Sequence, residues 1–304
     1  MRVDPNYVTN LVGALDSTQA NEQQLTSELS SGVRVNTLSQ DPVAAGENVL
    51  LLSQIHQDDS FTQSASLVTG GLQVADSALG SVVSQLTSAI SLATSANNGT
   101  LSPADVKSVG NQISGILTEV QSLANTNYQG QYIFAGGQSS TSPFTTSSAT
   151  TPATTTYHGD SDVNYLVAPG GQKIQLNVPG NQIFTGSGTN NVFAALNNLV
   201  ADYSSGTVNT NQAVTDTNAL GTALGYVTQQ RVVVDNSINQ LGAVGDAMTS
   251  AQTQLVGAQT NLMQADVAQV STQLSLSETQ QTALEDVIAQ LNNSSNSLFS
   301  KIQA

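Results

Sequence analysis

The 304-residue sequence contains no cysteine and no tryptophan, and sets only six lysines and arginines against 21 aspartates and glutamates. Without cysteine there is no disulfide, no thiolate metal site and no cysteine nucleophile. Charged residues make up 9% of the chain, against about 25% in typical globular proteins. The formal net charge of −15 therefore reflects missing cations rather than abundant acids. Six scattered cations cannot neutralise a phosphate track, so nucleic acid is not an expected partner. An anionic membrane surface would repel the chain for the same reason. The densest apolar run, Val49 to Leu52, falls far short of a membrane span. Aromatic residues are scarce at 4%, which predicts an aliphatic core. Between Met1 and Ala20, Val8, Leu11, Val12 and Leu15 alternate with polar residues, and no signal-peptide-like apolar stretch is formed. The expectation is a cytosolic protein, or one exported with its N-terminus intact.

What the sequence does have is helical periodicity at both ends. Val8, Leu11, Leu15, Thr18, Glu22, Leu25 and Leu29 step by threes and fours. Ser30-Ser31-Gly32 and Asp41-Pro42 interrupt, because proline holds its predecessor extended. A second series runs from Phe61 through Leu72, Leu79 and Leu86 to Ala93 and stops at Asn97-Asn98-Gly99. Ser102-Pro103-Ala104-Asp105 restarts a helix, with an N-cap serine, a proline at the first helical position and an acidic capping partner. Helical spacing returns at Val192–Val200 and again from about residue 210. The last series runs from Val256 through Val270, Leu274, Ser277, Gln281, Leu284, Ile288 and Leu291 to Leu298 and Ile302 without a slip, and predicts one long coiled-coil-like helix.

The middle reads differently. Tyr128–Gly137 (YQGQYIFAGG) predicts an aromatic strand or hairpin bounded by glycines. Residues 139–156 carry thirteen Ser or Thr among eighteen positions, too polar to pack alone. Asn164–Ala168 and Lys173–Val178 predict short strands joined across Pro169-Gly170-Gly171. The expected fold is mainly α: an elongated bundle of paired N- and C-terminal long helices with a small β-rich insertion at its tip. Its expected divisions are 1–40 with 268–304 as terminal helices, 41–137 with 191–267 as a helical rod carrying a β-hairpin, and 138–190 as the insertion.

No Walker loop or dinucleotide fingerprint is present. His56 near Asp58 and Asp59 has no second histidine or nucleophile beside it. Asp160-Ser161-Asp162-Val163-Asn164 begins like a calcium loop, but Tyr165 replaces the required glycine and Gly171 the bidentate glutamate. No cofactor, metal site or catalysis is expected. The helix flanks instead carry Gln, Ser, Thr and Asn, as in Gln280-Gln281-Thr282 and Asn292-Asn293-Ser294-Ser295. Such flanks can be packed against other copies without burying unpaired charge. One apolar stripe is too little to order so long a helix alone, so the terminal segments are expected to be loose in a monomer and ordered by neighbours.

Leu29-Ser30-Ser31-Gly32-Val33-Arg34-Val35-Asn36 followed by Asp41-Pro42-Val43-Ala44-Ala45 resembles the stretch after the first helix in the bacterial flagellin superfamily. Tyr132-Ile133-Phe134-Ala135-Gly136, Pro143-Phe144, the run Gly171, Ile174, Asn177, Gly180, Ile183 and Phe184, and Asn191–Leu196 are similar to the hook-associated branch of that superfamily. Gln280–Leu284 and Ser297-Leu298-Phe299 resemble its closing helix. The resemblance covers nearly the whole chain in order. It implies a structural subunit at the hook–filament junction of the flagellum, exported unfolded through the type III channel. Its implied partners are the first hook-associated protein, flagellin, copies of itself in an axial ring, and an export chaperone on the C-terminal helix. The alternatives are a short flagellin, whose proline-containing tail Asn292–Ala304 lacks, and another secreted fibre protein. On this reading the assembly interface comprises Val8, Leu11, Leu15, Leu25, Leu29, Leu274, Leu284, Ile288, Leu291, Leu298 and Ile302. Gly32, Arg34, Asn36, Asp41 and Pro42 form the connector between helical layers.

Overall fold

The helix starts follow from short polar side chains that satisfy otherwise orphaned amides. Ser102 accepts from the Asp105 amide and donates to the Asp105 carboxylate at 2.7 Å, opening α3 (Pro103–Ala124). Asn191 accepts from the Ala194 amide and opens α5 (Val192–Ser204). Asp41 does the same for α2 (Pro42–Ala96) through the Ala44 amide at 3.0 Å. The remaining helices are α1 (Pro5–Ser31), the short α4 (Gly180–Phe184), α6 (Thr210–Met263) and α7 (Val267–Ile302). This computed structural model describes residues 5–149, 151–186 and 190–302, with side chains described at 7, 9–149, 151–186 and 190–291.

The chain divides into two compact units. Unit 1 comprises 1–56 and 251–304, and unit 2 comprises 57–250. In unit 1, α1 packs on α7, and Leu25 forms a buried cluster with Ala265 and Val270 against which Leu274 packs. Because the end of α1 sits beside the start of α7, the two helices run antiparallel.

Unit 2 is built on the predicted stripe of α2. Leu79, Val82, Leu86, Ala89 and Ala93 are fully buried. They pack into one core with Ile113 and Val120 of α3, Leu196, Leu199 and Tyr203 of α5, and Leu220, Ala223 and Val227 of α6. Gly110 lets α3 come close to α5, since a Cβ there would lie 3.2 Å from the Tyr203 Cβ. Many helical hydroxyls are satisfied within their own helix, as in Thr69 to the Ala65 carbonyl and Thr228 to the Leu224 carbonyl. A surface rich in Ser and Thr therefore leaves few groups that depend on water.

Among the described residues the β elements are three antiparallel hairpins. The first pairs β1 (Asn127–Tyr128) with β2 (Gln131–Tyr132) around Gln129 and Gly130, whose φ values of 51° and 82° give a hairpin-type turn. This strand pair is much shorter than the 128–137 segment of the sequence reading. The second hairpin pairs β3 (Phe144–Ser147) with β4 (Thr154–Tyr157) inside the Ser/Thr tract. Thr146 there bonds both Gln121 and Thr155, at 2.8 Å each. The third pairs β5 (Tyr165–Val167) with β6 (Lys173–Gln175), turning at Gly171 with φ 82°.

Two expectations need correction. The core is not purely aliphatic: Phe134, Phe144, Phe184 and Phe193 are buried together, with ring centroids 5.0–5.8 Å apart. Few aromatics overall did not prevent their concentration where the hairpins meet the helices. The last seam is also not one helix. It breaks at Gln264–Asp266, between α6 and α7. Asp266 caps α7 by accepting from the Ala268 and Gln269 amides, and Gln264 pairs with Val33. The apolar spacing continued across the gap, which hid the cap signal Asp266-x-x-Gln269.

Candidate assembly surface

Unit 1 brings together the residues singled out for assembly. Along α7 the predicted four-three stripe of Val270, Leu274, Ser277, Gln281, Leu284, Ile288 and Leu291 is withdrawn from solvent, together with Ser271 beside it. Val270 and Ser277 are buried, whereas the other members are only half-buried. Along α1, Leu11 and Leu15 are half-buried and Leu25 is buried. Leu29 departs from the reading and is exposed at 37%, while Glu28 is buried at 6%. The α1 stripe thus steps from Leu25 to Glu28, and Gln24 supplies a 2.9 Å hydrogen bond to the Glu28 carboxylate. The side chains of Val8, Leu298 and Ile302 lie outside the described residues.

The predicted stripes of α1 and α7 each carry a buried polar atom. Ser277 is 3% exposed, and its Oγ has no hydrogen-bond partner. Glu22 Oε1 is likewise buried and unpartnered. Glu22 lies one turn before Leu25 on α1, and Ser277 one turn after Leu274 on α7. The periodicity alone placed both on the stripe but said nothing of their satisfaction.

The connector is sewn onto the α6–α7 break by backbone bonds. Gly32, with φ 69°, ends α1 in the left-handed region that favours glycine. The Ala265 amide donates to the Gly32 carbonyl at 2.9 Å, and the Arg34 amide donates to the Met263 carbonyl at 2.7 Å. The Asn36 backbone amide donates to Gln40 Oε1, and its side-chain amide donates to Ser27, Ser31 and the Val33 carbonyl. Arg34 reaches Asp41 with both terminal nitrogens at 3.2 Å and the Leu262 carbonyl at 3.3 Å. The Ala44 amide, and then Arg34, hold the Asp41 carboxyl below the usual carboxylate range. Pro42 is the first residue of α2. Val35 and Ala44, both buried, anchor this connector and were not singled out by the sequence reading.

The reading also missed a set of exposed apolar residues. Leu38, Val43, Val49 and Leu50 are between 64% and 72% exposed. Eleven of the sixteen large apolar side chains exposed among the described residues belong to unit 1, although it is the smaller unit. Contiguous exposed apolar surface is a feature of faces that other molecules cover. A shallow groove lined by Gly32, Val33, Asn48, Gln259, Met263 and Gln264 lies in the same unit. No helix among the described residues is long and apolar enough to cross a membrane.

Residues 7–139 match the bacterial flagellin N-terminal helical region, which bears out the resemblance read from the motifs. The chain is 29% identical over 208 residues to flagellar hook-associated protein 3 of Salmonella typhimurium, covering 64% of this chain and 63% of that protein. It is 34% identical over 139 residues to flagellar hook-associated protein 3 of Escherichia coli, covering 45% and 44% respectively. The chain thus spans less than two thirds of the length of these relatives. Its fold is similar to that of the flagellar junction protein FlgL from Legionella pneumophila, with a TM-score of 0.58, 15% identity, and coverage of 71% of this chain and 99% of that one. The mainly α fold with long helices and small antiparallel hairpins agrees with the expected class.

Proposed function

We propose that the chain is a structural subunit of the bacterial flagellum that joins the hook to the filament. The concentration of exposed apolar residues in unit 1 carries the reading, because a freely soluble monomer has no use for it. The similarity to flagellar hook-associated protein 3 of two bacteria supports the flagellar assignment. In the proposed assembly, the segments 1–40 and 268–304 form the inner layer, 41–137 and 191–267 the layer around it, and 138–190 the outward insertion. The α7 stripe of Leu274, Leu284, Ile288 and Leu291, with Leu298 and Ile302 beyond it, packs against α1 and neighbouring copies. Neutral Gln, Ser and Thr flanks allow that packing without burying charge.

The partners on this reading are the first hook-associated protein below, flagellin above, copies of the chain in the ring, and before export a chaperone on the C-terminal helix. The proposed location is outside the cell, reached through the flagellar export channel. The test is a deletion strain viewed by electron microscopy. The expected result is an intact hook, flagellin shed into the medium, and filaments restored by the gene. The family match to a flagellin region favours one second reading, a filament subunit. That reading holds if the purified chain polymerises alone into long filaments.

A further inference from the structure

Two carboxylates meet where α5 turns into α6 within unit 2. Asp216, in the second turn of α6, is 6% exposed, and both its oxygens accept amide hydrogens. Asn198 donates to Oδ1 at 3.2 Å and Gln212 to Oδ2 at 2.8 Å. Asp202, in the last turn of α5, has a carboxyl within hydrogen-bonding range of Asp216, yet its Oδ2 is buried without a partner. The carbonyl end of α5 adds negative partial charge at the same place. The other groups around the joint do not offset it. Tyr203 beside Asp202 is committed to the Ala93 carbonyl and Asn97. From α2 comes the neutral Asn97, which also donates to Thr217 of α6. From α3 comes Lys107, whose aliphatic stem lies against the turn at Gly206. Two carboxylates sharing a site cannot both ionise cheaply.

We propose that Asp202 and Asp216 share one proton and form a pH-sensitive clasp between α5 and α6, closed when Asp202 is protonated and weakened when it ionises. A proton taken from water sits on Asp202, whose O–H then donates to Asp216, and it returns to water on ionisation. Asp216 is the acceptor because its oxygens are already oriented by Asn198 and Gln212. Burial first, and then Asp216, push the Asp202 carboxyl up to about 6 from an ordinary value of 3.8. The folded state therefore binds more protons than the unfolded state between these values. The clasp's contribution is largest at low pH and is lost as pH rises through about 6.

The test is urea unfolding of the full chain by circular dichroism, comparing wild type with Asp202→Asn. Asparagine keeps the shape and removes the charge. Over the whole titration a shift of this size corresponds to about a hundredfold change in the unfolding constant; the window from about pH 5 to about pH 7.5 captures at most about tenfold, and partial solvent exposure lowers the expectation there to about threefold. Between about pH 5 and about pH 7.5, Asp202→Asn should gain about threefold in stability relative to wild type. An unchanged ratio at the two pH values overturns the clasp. Asp216→Asn provides a second reading, because it leaves Asp202 without its acidic neighbour: the carboxyl carbon resonance of Asp202 should then titrate at lower pH. An unmoved titration also overturns the proposal. If a divalent cation joined the pair instead, millimolar calcium chloride would raise the melting temperature of wild type at neutral pH and not that of Asp202→Asn, and that result overturns proton sharing.

Discussion

Arg34 and Asp41 face each other across the connector, with Nη1 of the arginine 3.2 Å from Oδ2 of the aspartate. The same carboxylate caps α2 through the Ala44 amide, so one side chain both starts a helix and holds the strap that precedes it. The arginine is 46% exposed in the monomer, and water screens the pair there.

Arg34→Ala should therefore leave the melting of the isolated chain almost unchanged. On the proposed function it should still lower motility, since the pair would matter once neighbours cover it. An equal loss of monomer stability, measured by thermal unfolding, would contradict this placement.

The capping role of Asp41 predicts a pH dependence of the opposite sign to that of the clasp. Its carboxyl is held below the ordinary value of 3.8, first by the Ala44 amide and then by Arg34. Its contribution is present above the unfolded value and is lost as pH falls through the lowered folded value. Amide exchange over the first turn of α2 should be faster in Asp41→Asn than in wild type at neutral pH, and the difference should vanish in strong acid.

Ser277→Ala should stabilise the α1–α7 pair by about 0.5–1 kcal/mol, because it removes an unsatisfied hydroxyl from a buried site and improves helix propensity. Slower amide exchange in α7 is the expected measurement. A destabilised pair would mean that the hydroxyl is bonded after all.

Ile288→Asp should be tolerated in the monomer, where the side chain is only half-buried. In the proposed assembly the same change buries an unpaired carboxylate in every copy, at a cost of about 2–5 kcal/mol each. Cells carrying it should release both the variant and flagellin into the medium and build no filaments. Normal filaments would show that this stripe makes no inner contact.

Phe144 is 1% exposed and touches the rings of Tyr157, Phe184 and Phe193. Phe144→Ala should cost about 3–5 kcal/mol, seen as an earlier urea transition of unit 2. By the same packing, replacing residues 138–190 with a Gly-Ser linker should destabilise unit 2, because Phe134 and Phe193 would lose their cover. Unchanged protease resistance of that variant would make the insertion an independent appendage.

The sequence by itself determined what short-range bonds decide. Ser102, Asn191 and Asp41 cap helices because a side-chain oxygen reaches an amide three residues on, whatever surrounds it. The stripe from Val270 to Leu291 repeats at the helical period, so its inward face was readable from spacing. The Gly171 turn was legible because glycine adopts positive φ at no steric cost. Tertiary structure decided the rest. Glu28 replaced Leu29 on the buried face because Gly32 and the Gln264–Asp266 break fix where α1 meets α7, a matter of backbone pairing between residues more than 200 positions apart. The aromatic cluster joins residues 134, 144, 184 and 193, which no local pattern relates. Asp202 and Asp216 look like ordinary surface acids until the α5–α6 turn brings them together, and only that proximity makes one of them hold its proton.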